Sequence, residues 1–218
     1  YRYFTIGNTY INIKRYQRAI EAYNKCLEFL QDNYLAINNY GDKYSHNLRV
    51  NQSSHLNDFT NIKQNPHLLD IFHNRGSAFI NTNQFKNAIL DFSKAIKIDS
   101  SDSYSYLYRG IAYRKLGEIE SAYSDLKKST VLNPENGWSF GNLALIFAKK
   151  GNEEKFYAHM EIAIFCFEEY PLYSTWDKEN VLDKLKNDER FLSLLDVSNQ
   201  CEASSARGFD YFSKFKKK

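Results

Sequence analysis

Residues 103–136 read SYSYLYRGIAYRKLGEIESAYSDLKKSTVLNPEN, and the spacing of Tyr106, Gly110, Tyr113, Ala122 and Pro134 within them decides the fold. The same series recurs 34 residues earlier as Phe72, Gly76, Phe79 and Ala88, and 34 residues later as Phe140, Ala144, Phe147 and Phe156. It also opens the chain, as Tyr3, Gly7, Tyr10, Ala19, Tyr23 and Cys26. A fixed period of this length signals stacked supersecondary units. Within each unit the apolar and small residues fall at helical intervals in two amphipathic stretches, the clearest being 69–82 and 84–98. Small residues at Gly76 and Ala88, and at Gly110 and Ala122, let paired helices approach closely. Asn83 and Gly117 fall at the helix–helix turn, where a residue tolerant of positive φ is useful. Pro134 cannot continue a helix. One such hairpin cannot bury its apolar face alone, so its neighbours must stack on it.

At these residues the chain resembles the tetratricopeptide repeat (TPR) family. The resemblance implies an all-α fold, a right-handed α-solenoid of TPR helical hairpins with a C-terminal capping helix. Repeats are expected at 1–33, 69–102 and 103–136, and a divergent one at 137–170, where Phe156 replaces a small residue and predicts looser or shifted pairing. Residues 34–68 read as an Asn-rich insertion or a degenerate repeat, with no sustained helical period. Residues 171–197 read as the capping helix, its apolar side built from Leu182, Leu185, Phe191, Leu194 and Leu195. The run 185–191 is similar to endings of some bacterial TPR proteins. The last stretch, 198–218, is a polar, Lys-rich tail read as solvated, with contact to an acidic partner or membrane surface as the alternative.

Composition agrees with a solenoid and argues against other classes. Hydrophobic residues make up 43% of 218, and 17 Tyr with 16 Phe supply much of the packed seam. Only three Pro and nine Gly speak against an all-β chain. A net charge of +3, spread along the sequence, is too weak for a dedicated nucleic-acid surface. Cys26, Cys166 and Cys201 lie far apart and read as small hydrophobes rather than a disulfide or zinc framework. No histidine pair has the i, i+4 spacing of a helical metal site, and no phosphate loop or nucleophile motif occurs, so no enzyme, metal or cofactor is expected. No run approaches a membrane span and no signal peptide is visible. A cytoplasmic chain is expected. Its start at Tyr1, inside a repeat helix, reads as a fragment or processed form.

The resemblance places function in a concave groove lined by the first helix of each unit. Helical phase assigns His73, Asn74, Ser77 and Asn81 to it from one unit, and Tyr104, Tyr108, Ile111, Arg114 and Lys115 from the next. Trp138, Asn142, Leu145 and Lys149 follow from the last. Tyr104, Tyr108 and Trp138 are the natural anchors for a protein or peptide segment. The alternative is that they pack against neighbouring repeats. The TPR subclass that grips a chaperone's C-terminal carboxylate carries Lys and Asn, then Asn, then a Lys–Arg pair. Asn8 and Asn74 match two of those places, but Phe4, Tyr104 and Tyr108 stand where the cations belong, which argues against that ligand. The leading expectation is a non-enzymatic adaptor. Its rivals are a constitutive subunit of a larger assembly, an RNA-binding helical repeat and a regulatory module of a larger enzyme.

Overall fold

The computed structural model describes residues 2–44, 67–166 and 188–194, with side chains of the first stretch described as far as residue 31. Its helices are α1 (Arg2–Asn12), α2 (Tyr16–Tyr44), α3 (Leu68–Asn81), α4 (Phe85–Ile98), α5 (Ser103–Lys115), α6 (Ile119–Leu132), α7 (Gly137–Lys149) and α8 (Glu153–Cys166). No strand occurs among the described residues. The fold class is the all-α solenoid of TPR-like helical hairpins. The chain divides into two compact units, Tyr1–Leu116 and Gly117–Lys218.

The first unit holds α1 to α5. Here α1 packs on α2, α3 on α4, and each hairpin on the next, while α3 also touches α1 and α5. The first helices of successive hairpins therefore line one common face. Two glycines set the helix separation. A Cβ at Gly7 would lie 2.5 Å from the Tyr23 ring, and one at Gly76 would lie 2.8 Å from the tip of Phe92. The partner of Gly76 is thus an aromatic ring rather than Ala88 alone, although Ala88 is fully buried as well. Around these contacts Ala19, Tyr23, Ile71, Ala78, Phe79, Phe92 and Ala112 form one apolar cluster.

The hairpin turns repeat one device. Lys14, Asn83, Gly117 and Gly151 all have positive φ. At three of them the next residue's N–H reaches back five positions to a helix carbonyl: Arg15 to Tyr10, Gln84 to Phe79 and Asn152 to Phe147. This closure satisfies carbonyls the helix end would otherwise leave open. Asp102 and Asn136, one period apart, cap α5 and α7 by accepting the Tyr104 and Trp138 amides.

A second periodic device ties hairpins together. Arg75 on α3 grips Asp91 on α4 with two hydrogen bonds of 2.7 Å, and its third arm reaches Asn24 on α2 at 2.6 Å. The Asp91 side chain is buried, at 3% exposure, that of Arg75 is largely covered, at 13%, and the guanidinium lies against Phe72 and Phe79. Arg109, one period on, donates to Ser93 on α4 at 3.1 Å and lies against Tyr106 and Tyr113. Ser93 occupies the place that Asn24 holds in the earlier hairpin.

In the second unit α7 packs on both α6 and α8. Phe156 is fully buried beside Tyr157 and Phe191, so the large residue in the small-residue place has been absorbed into the packing. Arg190 lies over the Tyr157 ring at 4.2 Å. A buried Ser129–Ser139 hydrogen bond of 2.7 Å joins α6 to α7.

Two sequence readings need adjustment. Helix α2 does not end near residue 33; it runs to Tyr44, into the stretch read as an insertion or degenerate repeat. The remainder of that stretch, 45–66, lies outside the described residues, as do 198–218 and all of 171–197 except 188–194. Cys26 is buried as expected, but Cys166 is only half-buried, its thiol 3.7 Å from the Pro134 carbonyl.

Candidate functional site

The common face of α1, α3 and α5 carries the candidate residues of the first unit. Asn8 on α1 is its polar hub. Its Oδ1 accepts the Tyr23 hydroxyl at 2.6 Å and the Asn74 amide at 3.1 Å. The two asparagines that match the carboxylate-binding pattern are thus engaged with each other across α1 and α3. Phe4, one turn earlier, lies 5.1 Å from the His67 ring.

The other half of this face is aromatic. His73 on α3 is ringed by Tyr108 at 5.4 Å, Phe92 at 5.6 Å and Tyr104 at 6.5 Å, all nearly perpendicular to it. Tyr108 stacks on Phe92 at 5.7 Å with only 15° between planes, so it is half-buried and belongs partly to the core. Tyr104 differs. It sits in the first turn of α5 and remains 49% exposed. The structure therefore brings His73, Asn74, Tyr104 and Tyr108 onto one wall. Ser77 is half-buried, Asn81 is exposed with its amide on the Ser77 carbonyl, and Ile111 is half-buried. Arg114 is half-buried and Lys115 exposed at the other end of α5.

His73 is electrostatically unusual. Burial pushes its pKa below the ordinary histidine value, against a weaker upward pull from the carboxylates of Asp102 and Asp70 and a hydrogen bond with Asn74. Its Nε2 is buried with no hydrogen-bond partner among the described residues. The unfolded chain thus binds a proton at His73 more readily than the folded one. This stability contribution is full above the unfolded pKa, near 6.5, and is lost as pH falls below it toward the folded value. The melting temperature is expected to drop as pH falls through this window, and less steeply in His73→Gln. Equal slopes in the two proteins would count against the buried neutral ring.

Asp70 and Asp102 were not singled out from the sequence, although Asp70 lies at i−3 and i−4 from His73 and Asn74 and so shares their stripe. The Arg75–Asp91 pair was missed too. Its signal was present in the sequence, since Arg and Asp both return one period later as Arg109 and Asp125.

The second unit changes the reading of its candidates. Trp138 is half-buried and Lys149 exposed. Asn142 is not a surface residue: it is 4% exposed, and its amide is turned back onto the Trp138 carbonyl at 2.8 Å. Leu145, at 2% exposure, is likewise core. The cause is that α7 is apolar around most of its circumference, with Leu143, Ala144, Ile146 and Phe147 buried as well. Trp138, Asn142 and Lys149 therefore form no common exposed surface on this unit.

Among the described residues, no group of three or more His, Cys, Asp or Glu is placed to hold a metal, and no helix is long and apolar enough to cross a membrane.

Residues 2–32 and 69–102 match the family model of the tetratricopeptide repeat. Among solved structures, TTC0263, a thermophilic TPR protein of Thermus thermophilus, is similar with a TM-score of 0.59 at 14% identity, covering 94% of this chain and 97% of that one. MamA is similar with a TM-score of 0.58 at 15% identity, covering 93% and 97%. At such identities the likeness speaks for the fold. No curated protein matches the chain.

Proposed function

Because the chain is a tetratricopeptide-repeat protein, we propose that it is a non-enzymatic adaptor that holds a segment of another protein against the shared face of α1, α3 and α5. A protein-interaction role is the general use of this fold; the assignment to this face rests on the site. The observation that carries it is Tyr104, whose large ring stays 49% exposed beside His73 and Tyr108 although the core does not need it there. Amphipathic aromatics held on a rigid helix lose little entropy on binding and dominate interface energies. Phe92 backs this wall from within, so the anchor rests on packed core.

The test is affinity capture from native extract with the wild type and with Tyr104→Ala, whose exposed position spares the fold. A partner bound by the wild type is expected to bind the variant about tenfold more weakly or worse. Partners retained equally by both would move the working surface away from this face.

A further inference from the structure

The charges around the aromatic wall define what it would bind. Asp70 on α3 lies on the stripe of His73 and Asn74, with its side chain 57% exposed and His67 Nδ1 3.9 Å away. Asp102 stands immediately before α5. One of its oxygens accepts the Tyr104 amide at 3.1 Å and the other accepts the Ser105 hydroxyl at 2.6 Å. Both donors are neutral, so the negative charge of Asp102 is left in place. Asp70 lies one turn before His73 on α3 and Asp102 lies two residues before Tyr104, so the two carboxylates flank the element ends that bring the His73 and Tyr104 rings together.

We propose that this wall reads a cation: an arginine or lysine of the bound segment lies against Tyr104, with Asp70 and Asp102 on either side. An exposed tyrosine ring attracts a cationic side chain through its quadrupole. Two carboxylates within the same patch add Coulomb attraction and accept the N–H groups of a guanidinium or ammonium. The wall thus has a polarity opposite to that needed for a terminal carboxylate, and the matching occupant is a basic segment. This inference rests on the adaptor reading above and names the chemistry of its ligand.

A displayed library of random dodecapeptides, panned on the full chain, tests it. Clones are counted only when Tyr104→Ala abolishes their binding, and the best are synthesised. The expected result is enrichment of Arg or Lys at one position. Binding should weaken about tenfold in Asp70→Asn/Asp102→Asn and when the peptide's cation is replaced by norleucine, and should fall with added salt. Asn at position 102 preserves the helix cap, and Asp70→Asn alone, at an exposed site, serves if the double variant melts early. Tyr104-dependent peptides that are acidic or uncharged, or indifferent to the Asp→Asn changes, would overturn the cation inference and leave the adaptor reading standing. No Tyr104-dependent peptide at all would overturn both.

Discussion

Asp91→Ala is expected to lower the stability of the chain by about 3–5 kcal/mol, seen as a fall in the urea midpoint followed by circular dichroism. Asp91 is 3% exposed at its side chain, and it is the bidentate partner of Arg75. Its removal leaves a guanidinium packed against Phe72 and Phe79, with Asn24 as its remaining acceptor among the described residues. The cost comes from stranding that charge rather than from the worth of the pair. Arg75→Met/Asp91→Leu should therefore recover most of the loss, since two apolar residues of similar volume desolvate nothing. A single-variant cost below about 1 kcal/mol would mean that Arg75 finds water or another acceptor, and that the pair is not a fastener between hairpins.

The second large effect is at Phe92, which has no exposed surface and sits between Gly76 and Tyr108. Phe92→Ala should cost about 3–5 kcal/mol through lost burial and the cavity left behind. Its coupling to Gly76 makes the prediction sharper. In the wild type, Gly76→Ala pushes a methyl into the Phe92 ring, which is held by its stacking on Tyr108 and cannot withdraw freely, at a cost of about 1–3 kcal/mol. In the Phe92→Ala background the same methyl enters open space and improves helix propensity, so Gly76→Ala should become neutral or stabilising. Additive effects in the double variant would refute the contact as the reason for glycine at this position. Because Phe92 also supports Tyr108, Phe92→Ala is expected to weaken partner binding even below its unfolding transition.

The repeat architecture was legible because the constraints that create it are local and periodic. Positive φ at Asn83 and Gly117 appeared where the turn residues predicted it. The glycine and aromatic places likewise matched buried contacts in the first unit. What failed was inference from one period to the surroundings of a helix. Asn142 falls at the same helical phase as Tyr108, yet α7 is apolar nearly all round and encloses it, a difference that phase alone does not carry. Helix α2 outran its predicted end because its Asn-rich continuation lacks a helix-stopping Pro, and the Gly within it, Gly41, comes late. Tyr108 lies between the two alternatives posed for it, one face in the core and the rest on the wall. The Arg75–Asp91 bridge was readable in principle, since its two members sit sixteen residues apart, on facing helices of one hairpin. It went unread because charged residues at a period are ordinarily taken for a solvated surface.

Site-specific photocrosslinking in native cells distinguishes the shared face of α1, α3 and α5 from the other sides of the hairpins. A benzophenone amino acid would replace Tyr104 on the shared face, or Leu90, which is 61% exposed on α4. If the partner lies on the shared face, position 104 links to a defined segment of it, one rich in basic residues, and position 90 does not. Crosslinks to the same partner from Leu90 with none from position 104 would contradict it, placing the working surface of this protein on another side of its hairpins.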